Sequence, residues 1–328
     1  MTNSRRRTKS IAFAAILMAS LAFTSCGSHN SVEGTFDKTL TVNGPVHLQI
    51  ITGSGDTTIT TGPPGQVRIH GDISVRAWSE QSGQRRVNDL RSSPPISQQD
   101  GLIRIGDSGQ HHDNVSIDYT IVVPAETQLQ STSGSGDVEV TGIKGPANFT
   151  SGSGSVTATD IGDDVQIKTG SGDIELKKIQ GQITGNTGSA GVKFSGVQGP
   201  IRFQTGSGDV EIENPGAAVE IQTGSGGIDV KNASSDLRIH TSSGDVEIQG
   251  NPNATSYWDV RTGSGDVILD VSAEASLRLY AHTSSGDIEA NIPISMEGTT
   301  LKHELRARLG DGKARVEVET SSGDITLK

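Results

Sequence analysis

A short phrase, Thr/Ser-Gly-Ser-Gly-Asp followed by an alternating apolar run, recurs along this chain with an 18-residue period. Strong copies begin at Ser133, Thr169, Thr205 and Thr241, and weaker ones sit midway at Ser151, Thr187 and Thr223. Later copies begin at Thr262, Thr283 and Thr320, and an early outlier begins at Thr52. A unit this short cannot bury a core alone, so a fixed period of this kind demands stacked units that share one. Aromatic residues make up only 3% of the chain, which argues against a conventional globular core. Disorder is excluded because the glycines keep a fixed phase beside Val and Ile pairs.

Each period divides into two nine-residue halves, such as 134–142 and 143–151, with apolar residues at positions five and seven of each half. The pairs include Val138/Val140, Ala147/Phe149, Val165/Ile167, Ile174/Leu176, Val192/Phe194, Val210/Ile212 and Val246/Ile248. Period-two alternation means a strand with one buried face. The Gly, Ser, Asp and Pro residues between strands supply turns, with glycine providing backbone angles that other residues avoid. The predicted fold class is therefore all-β: a single-stranded β-solenoid (β-helix) with about 18 residues per coil, preceded by an all-β N-terminal region. Each inward aliphatic contributes on the order of 1.5–3 kcal/mol, so the stack is stable where one coil is not. Thr169, Thr187, Thr205, Thr223 and Thr241 share the inward parity and are expected to form a column of hydroxyls hydrogen-bonded along the stack.

Charge supports the coil length. The turn position reads Asp137, Ser155, Asp173, Gly191, Asp209, Gly227 and Asp245. With 18 residues per coil these acids lie two layers apart, near the Debye length; with 36 they would stack at about 4.8 Å and repel. After Gly250 the period lengthens to 21 residues and an excursion, 293–320, intervenes, as a terminal cap requires. Residues 306–318 read as a hairpin around Gly310-Asp311-Gly312. The predicted organisation is a signal peptide (1–25), a linker (26–33), a β-rich N-terminal region (34–129) with one helical stretch near Trp78–Leu90, and the solenoid (130–328) with its irregular cap at 293–328.

Arg5, Arg6, Arg7 and Lys9 precede an apolar stretch, Ile11 to Phe23, which reads as an export signal and is too short to span a membrane. The stretch ends Leu21-Ala-Phe-Thr-Ser-Cys26-Gly27, and Cys26 is the chain's single cysteine. This segment resembles a bacterial lipoprotein signal, which implies that Cys26 is lipidated and becomes the mature N-terminus; cleavage nearby with an incidental cysteine is the alternative. Cleavage removes four basic residues and takes the formal charge from −11 to −15. Such an acidic, aromatic-poor surface excludes nucleic acid as a partner and leaves membrane attachment to the lipid.

The repeats, the closing Thr320-Ser-Ser-Gly-Asp-Ile-Thr-Leu327 and the segment Val123-Pro-Ala-Glu-Thr-Gln-Leu129 resemble the bacterial putative-adhesin family of β-strand-repeat proteins (auto-transporter adhesin head, GIN domain-like). The resemblance covers roughly 34–328 and implies a solenoid fold and an adhesive role, with no catalytic chemistry.

Other motifs give way to blander readings. In calcium β-rolls an Asp lies two residues before a single apolar position, whereas Asp137 precedes the apolar pair Val138/Val140. A glycan lyase or hydrolase needs clustered carboxylates and aromatic platforms; Glu139, Glu175, Glu211 and Glu247 are periodic, and Trp78, Tyr257 and Trp258 are the candidate platforms. His111-His112-Asp113 reads as a solvated loop, and Lys302-His303-Glu304-Leu305 lacks the second histidine of a zinc-protease helix. No catalytic residue, metal site or cofactor is therefore expected. The reading is a lipid-anchored, non-enzymatic envelope protein held to the membrane at Cys26, at the outer membrane or in the periplasm, with envelope proteins or glycans as partners. The alternative is a carbohydrate-active enzyme or lectin on a β-helix. Local function is expected where the repeat breaks, at 251–262, 293–320 and the N-terminal region.

Overall fold

The computed structural model describes residues 30–106, 114–297 and 302–328. Two long sheets, of 14 and 15 strands among the described residues, face each other across one core. In the first, Val138, Val156, Ile174, Val192, Val210, Ile228 and Val246 pair in parallel at offsets of 18 residues. In the second, Leu129, Ala147, Val165, Ile183, Ile201, Val219 and Leu237 do the same. Each 18-residue unit is thus one rung with a strand in each sheet, and the inward residues are buried throughout. Phe194 and Phe203 meet edge to face with ring centroids 5.3 Å apart. Gly185, on the rung below Phe203, leaves room for that ring: a Cβ there would lie 3.0 Å from Phe203 and closer still to Ile167.

The two turns have different physical demands. At the Gly-Ser-Gly turn most glycines have ordinary φ values, contrary to the expectation that special backbone angles select them. A Cβ on Gly206 would lie 2.5 Å from the carbonyl oxygen of Gly188, one rung away, and Gly224 meets Gly206 at 2.6 Å. Close stacking of the turns selects glycine here. Left-handed backbone appears at the opposite turn, in the column Gly142, Asp160, Lys178, Gly196, Asn214 and Asn232.

The turn aspartates also do something the charge pattern did not reveal. Asp137, Asp173 and Asp209 each accept the backbone N–H of the equivalent residue one rung on, at 2.7 Å (Ser155), 3.0 Å (Gly191) and 2.8 Å (Gly227). Acids are not kept apart everywhere: Asp118, Asp56 and Asp137 occupy adjacent rungs at one end, and Asp245, Asp266, Asp324 and Asp287 at the other. In these stacks each carboxylate receives the next aspartate's N–H, a charge-assisted bond that offsets the repulsion. The 18-residue coil holds, but avoidance of like charge is not what secures it.

The threonine column is buried as expected, with a different bonding pattern. Thr169 and Thr187 share a hydroxyl contact at 2.8 Å, whereas Thr262, Thr283 and Thr320 donate to turn carbonyls. The hydroxyls of Thr205, Thr223 and Thr241 have no partner among the described residues.

The ends depart from chain order. Strands Val46–Thr52 and Thr57–Gly62, the first rung in sequence, sit between the rung built from Leu102–Gly106 and Val115–Pro124 and the rung starting at Thr127. The two sheets therefore run through residues 46–133 without a break. At the other end, strands Ala314–Ser322 and Ile325–Leu327 slide between the rungs at 257–270 and 277–290. The last rung in sequence is an interior rung in space. The predicted hairpin at 306–318 does not form: Glu304–Leu309 pairs antiparallel with Leu277–Ser285, which separates it from Ala314–Ser322. The inserted strand gains a parallel neighbour on each side, where a hairpin would provide one. Of the described residues in the segment expected to be a cap, strands Ser295–Met296 and Glu304–Leu309 lie outermost and the other two lie inside.

The N-terminal end is covered by the antiparallel pair Asn30–Thr41 and Gln66–Ala77. A helix, Glu80–Ser92, starts where Ser79 caps the N–H of Ser82, and it buries Gly83, Val87 and Leu90. Val87 packs on Gly34, where any Cβ would collide with it.

Candidate functional site

Outward residues of the second sheet form rows along the solenoid axis, one side chain per rung. One row runs Gln49, Gln130, Asn148, Gln166, Thr184. It continues as Arg202, Glu220, Arg238, Asp259, Glu317. The row is neutral and amide-rich over its first half and charged over its second.

The neutral half borders a trough of about 530 Å³. Its second wall carries His47, Gln128, Pro146, Asp164 and Gln182, and its floor is the strand backbone between the two rows. Asn148 Nδ2 donates to Gln166 Oε1 at 3.1 Å, and Arg104 Nε donates to Gln49 Oε1 at 3.0 Å. Parallel stacking of like positions brings these amides together, and each leaves donor and acceptor capacity toward solvent. Sequence reasoning passed over them because a polar outward residue in a strand has no signature of its own; the run of Gln and Asn at 18-residue spacing was the available signal.

The charged half gathers around Asp259, whose side chain is 10% exposed on an outward face. Arg261 Nε lies 2.9 Å from Asp259 Oδ1, and His240 Nε2 lies 3.7 Å from Oδ2. Tyr257 donates its hydroxyl to Glu317, which also accepts from Arg315 Nε at 2.8 Å. The Tyr257 hydrogen bond, then Arg315, holds the Glu317 carboxyl below the usual range. Burial and Glu317 push the Tyr257 hydroxyl up to about 12. These carboxylates are non-periodic and lie at the repeat break, but Trp258 is no sugar platform. It points into the core, fully buried, with Nε1 donating to the Ser235 carbonyl at 2.8 Å.

The remaining candidates scatter. Cys26 and His111-His112-Asp113 lie outside the described residues. His303 Nδ1 lies 3.0 Å from the Gly286 carbonyl oxygen, at the outer end of the stack. Among the described residues no group of three His, Cys, Asp or Glu side chains is placed to hold a metal ion. No helix among them is long and apolar enough to cross a membrane.

The repeating two-sheet stack defines a class of β-repeat protein. The Toastrack DUF4097 family model matches twice, over residues 110–219 and 216–328, and the chain belongs to that family. No curated protein matches the chain. Solved structures similar to it include a "putative lipid binding protein" from Parabacteroides distasonis, at 12% identity and TM-score 0.40, covering 89% of this chain and 97% of that one. A "putative adhesin" from Bacteroides fragilis matches at 13% identity and TM-score 0.34, covering 90% and 97%. A "putative cell adhesion protein" from Clostridium sporogenes matches at 13% identity and TM-score 0.25, covering 90% and 99%.

Proposed function

We propose that this is an exported protein, anchored to the cell envelope through lipidated Cys26, which binds an extended, neutral envelope glycan along the amide trough without altering it. The observation that carries this reading is the repetition of Gln49, Gln130, Asn148, Gln166 and Thr184 at strand spacing beside an open trough. A linear ligand along the axis meets one residue of this row about every 4.8 Å. An extended peptide repeats every two residues, at roughly 6.6 Å, and falls out of step within two rungs. A sugar chain lying along the trough offers hydroxyls to amides that both donate and accept. An anionic polymer finds too few cations here to suit it.

Calorimetry with neutral β-linked and α-linked hexasaccharides tests the ligand. Binding of the β-linked series, rising with chain length and weakened about tenfold or more by Gln130→Ala with Gln166→Ala, is the expected result. Retention of an envelope protein in a pull-down, with no sugar binding, would transfer the interaction to a protein partner. A palmitate analogue should label the chain and fail to label Cys26→Ser.

The enzyme reading draws on one observation, the carboxylates Asp259 and Glu317 on adjacent strands. It is the weaker one. Glu317, held below the usual carboxylate range, stays ionised near neutral pH and is a poor general acid. Turnover of an envelope glycan that disappears in Glu317→Gln would establish it.

A further inference from the structure

Trp78 is 91% exposed, the most exposed large hydrophobic side chain among the described residues. It follows directly on the strand Gln66–Ala77, whose last residue, Ala77, pairs with Asn30. Asn30 is four residues from Cys26. Four residues span at most about 14 Å, so the Cα of Asn30, the strand partner of Ala77, is tethered within that distance of the Cα of Cys26.

We propose that the tip bearing Trp78 rests in the headgroup layer of an anionic phospholipid bilayer, with Trp78 inserted at the interface; the inference rests on the reading of Cys26 as lipidated. An indole has a large apolar body and one N–H donor, and the boundary between headgroups and acyl chains satisfies both. In the strands and helix that flank it, Arg76, Arg85, Arg86 and Arg91 outnumber Glu33, Glu80 and Asp89, four cations against three anions in a chain of net charge −11. The protein is acidic overall, yet the end nearest the anchor is locally basic, which suits anionic headgroups. The whole-chain charge, from which no electrostatic help at the membrane is expected, hides this asymmetry. Its consequence is orientation: the acyl chains hold the protein, and Trp78 with the arginines sets which way the solenoid points.

The test uses the full chain, purified from membranes and reconstituted into vesicles of phosphatidylethanolamine and phosphatidylglycerol, some brominated near the headgroup. Trp258 is fully buried, so quenching by bromine reports Trp78. Brominated lipid should quench the wild type and leave Trp78→Phe unquenched. A wild type that is labelled by palmitate analogue, bound to vesicles and unquenched would overturn the inference and leave the anchor standing. Absence of labelling would overturn both.

Discussion

The middle of the molecule and its two ends are made of the same strands and obey different rules. From Thr127 to Gly250 chain order and spatial order coincide, each rung resting on the one before it. At both ends the rung that is first or last in sequence is threaded inward: the rung at 46–62 lies inside the rung at 102–124, and the rung at 314–327 lies inside that at 277–290. A stack with purely sequential rungs would leave its first and last rungs with an unpaired side, a hazard for pairing with other chains. Threading gives both terminal rungs neighbours on each side. The cost is kinetic, because these pairings close long loops and must wait for their flanking rungs.

The largest way to break this symmetry is truncation after Lys313. That deletion removes the buried Ala314, Val316, Val318, Ile325 and Leu327 from inside the stack. It should cost on the order of 5–10 kcal/mol and unfold the C-terminal end, seen as an early calorimetric transition. Removing a whole central rung, residues 174–191, should leave one cooperative transition with a modestly lower Tm. If the truncation melts like the wild type, the threaded rung is not what holds that end.

A smaller effect is expected from Gly206→Ala in the middle. Its Cβ would press on the Gly188 carbonyl at 2.5 Å, and denaturant melts should show a loss of about 1–3 kcal/mol. Smaller again is Asp173→Ala, which leaves the Gly191 N–H without its acceptor and should cost about 1 kcal/mol. Asp266→Ala sharpens the contrast: it removes the same kind of bond to Asp324 but also relieves repulsion from Asp245 and Asp324, so its cost should fall below that of Asp173→Ala.

The smallest effect concerns His70, on the pair that covers the N-terminal end. Its ring lies 2.8 Å from Asp37 and 3.3 Å from Asp72, and the Asp37 hydrogen bond raises its pKa. A raised folded pKa means stability that is fully present below about pH 6.5 and lost as pH rises through the folded value. His70→Gln should therefore be slightly less stable than the wild type in acid and match it above neutrality, in paired denaturant melts.

Much of the fold was legible because its rules are local and repeated. Alternation in pairs such as Val210/Ile212 declares an inward face, and a phrase returning every 18 residues declares the rung. The helix at Glu80–Ser92 lay within two residues of the stretch read as helical. What sequence reasoning missed is relational. It took Arg306 to Val318 for a hairpin because the turn Gly310-Asp-Gly312 invites one, but another strand had already claimed the pairing edge. The trough was invisible for a similar reason: Gln130, Asn148 and Gln166 are unremarkable singly and become a surface only when stacked.

The period, the inward parity, the coil length and the acidic balance all follow from the order of residues, because each depends on spacing along the chain. Which rung lies beside which at the ends does not follow from that order. Val316 could pair equally well with many Val and Ile positions, and only the assembled stack, with a gap one strand wide between Trp258 and Leu279, selects its place. The nearness of Trp78 to Asn30, four residues after Cys26, was decided the same way, by an antiparallel register whose two strands are separated by 24 residues in sequence.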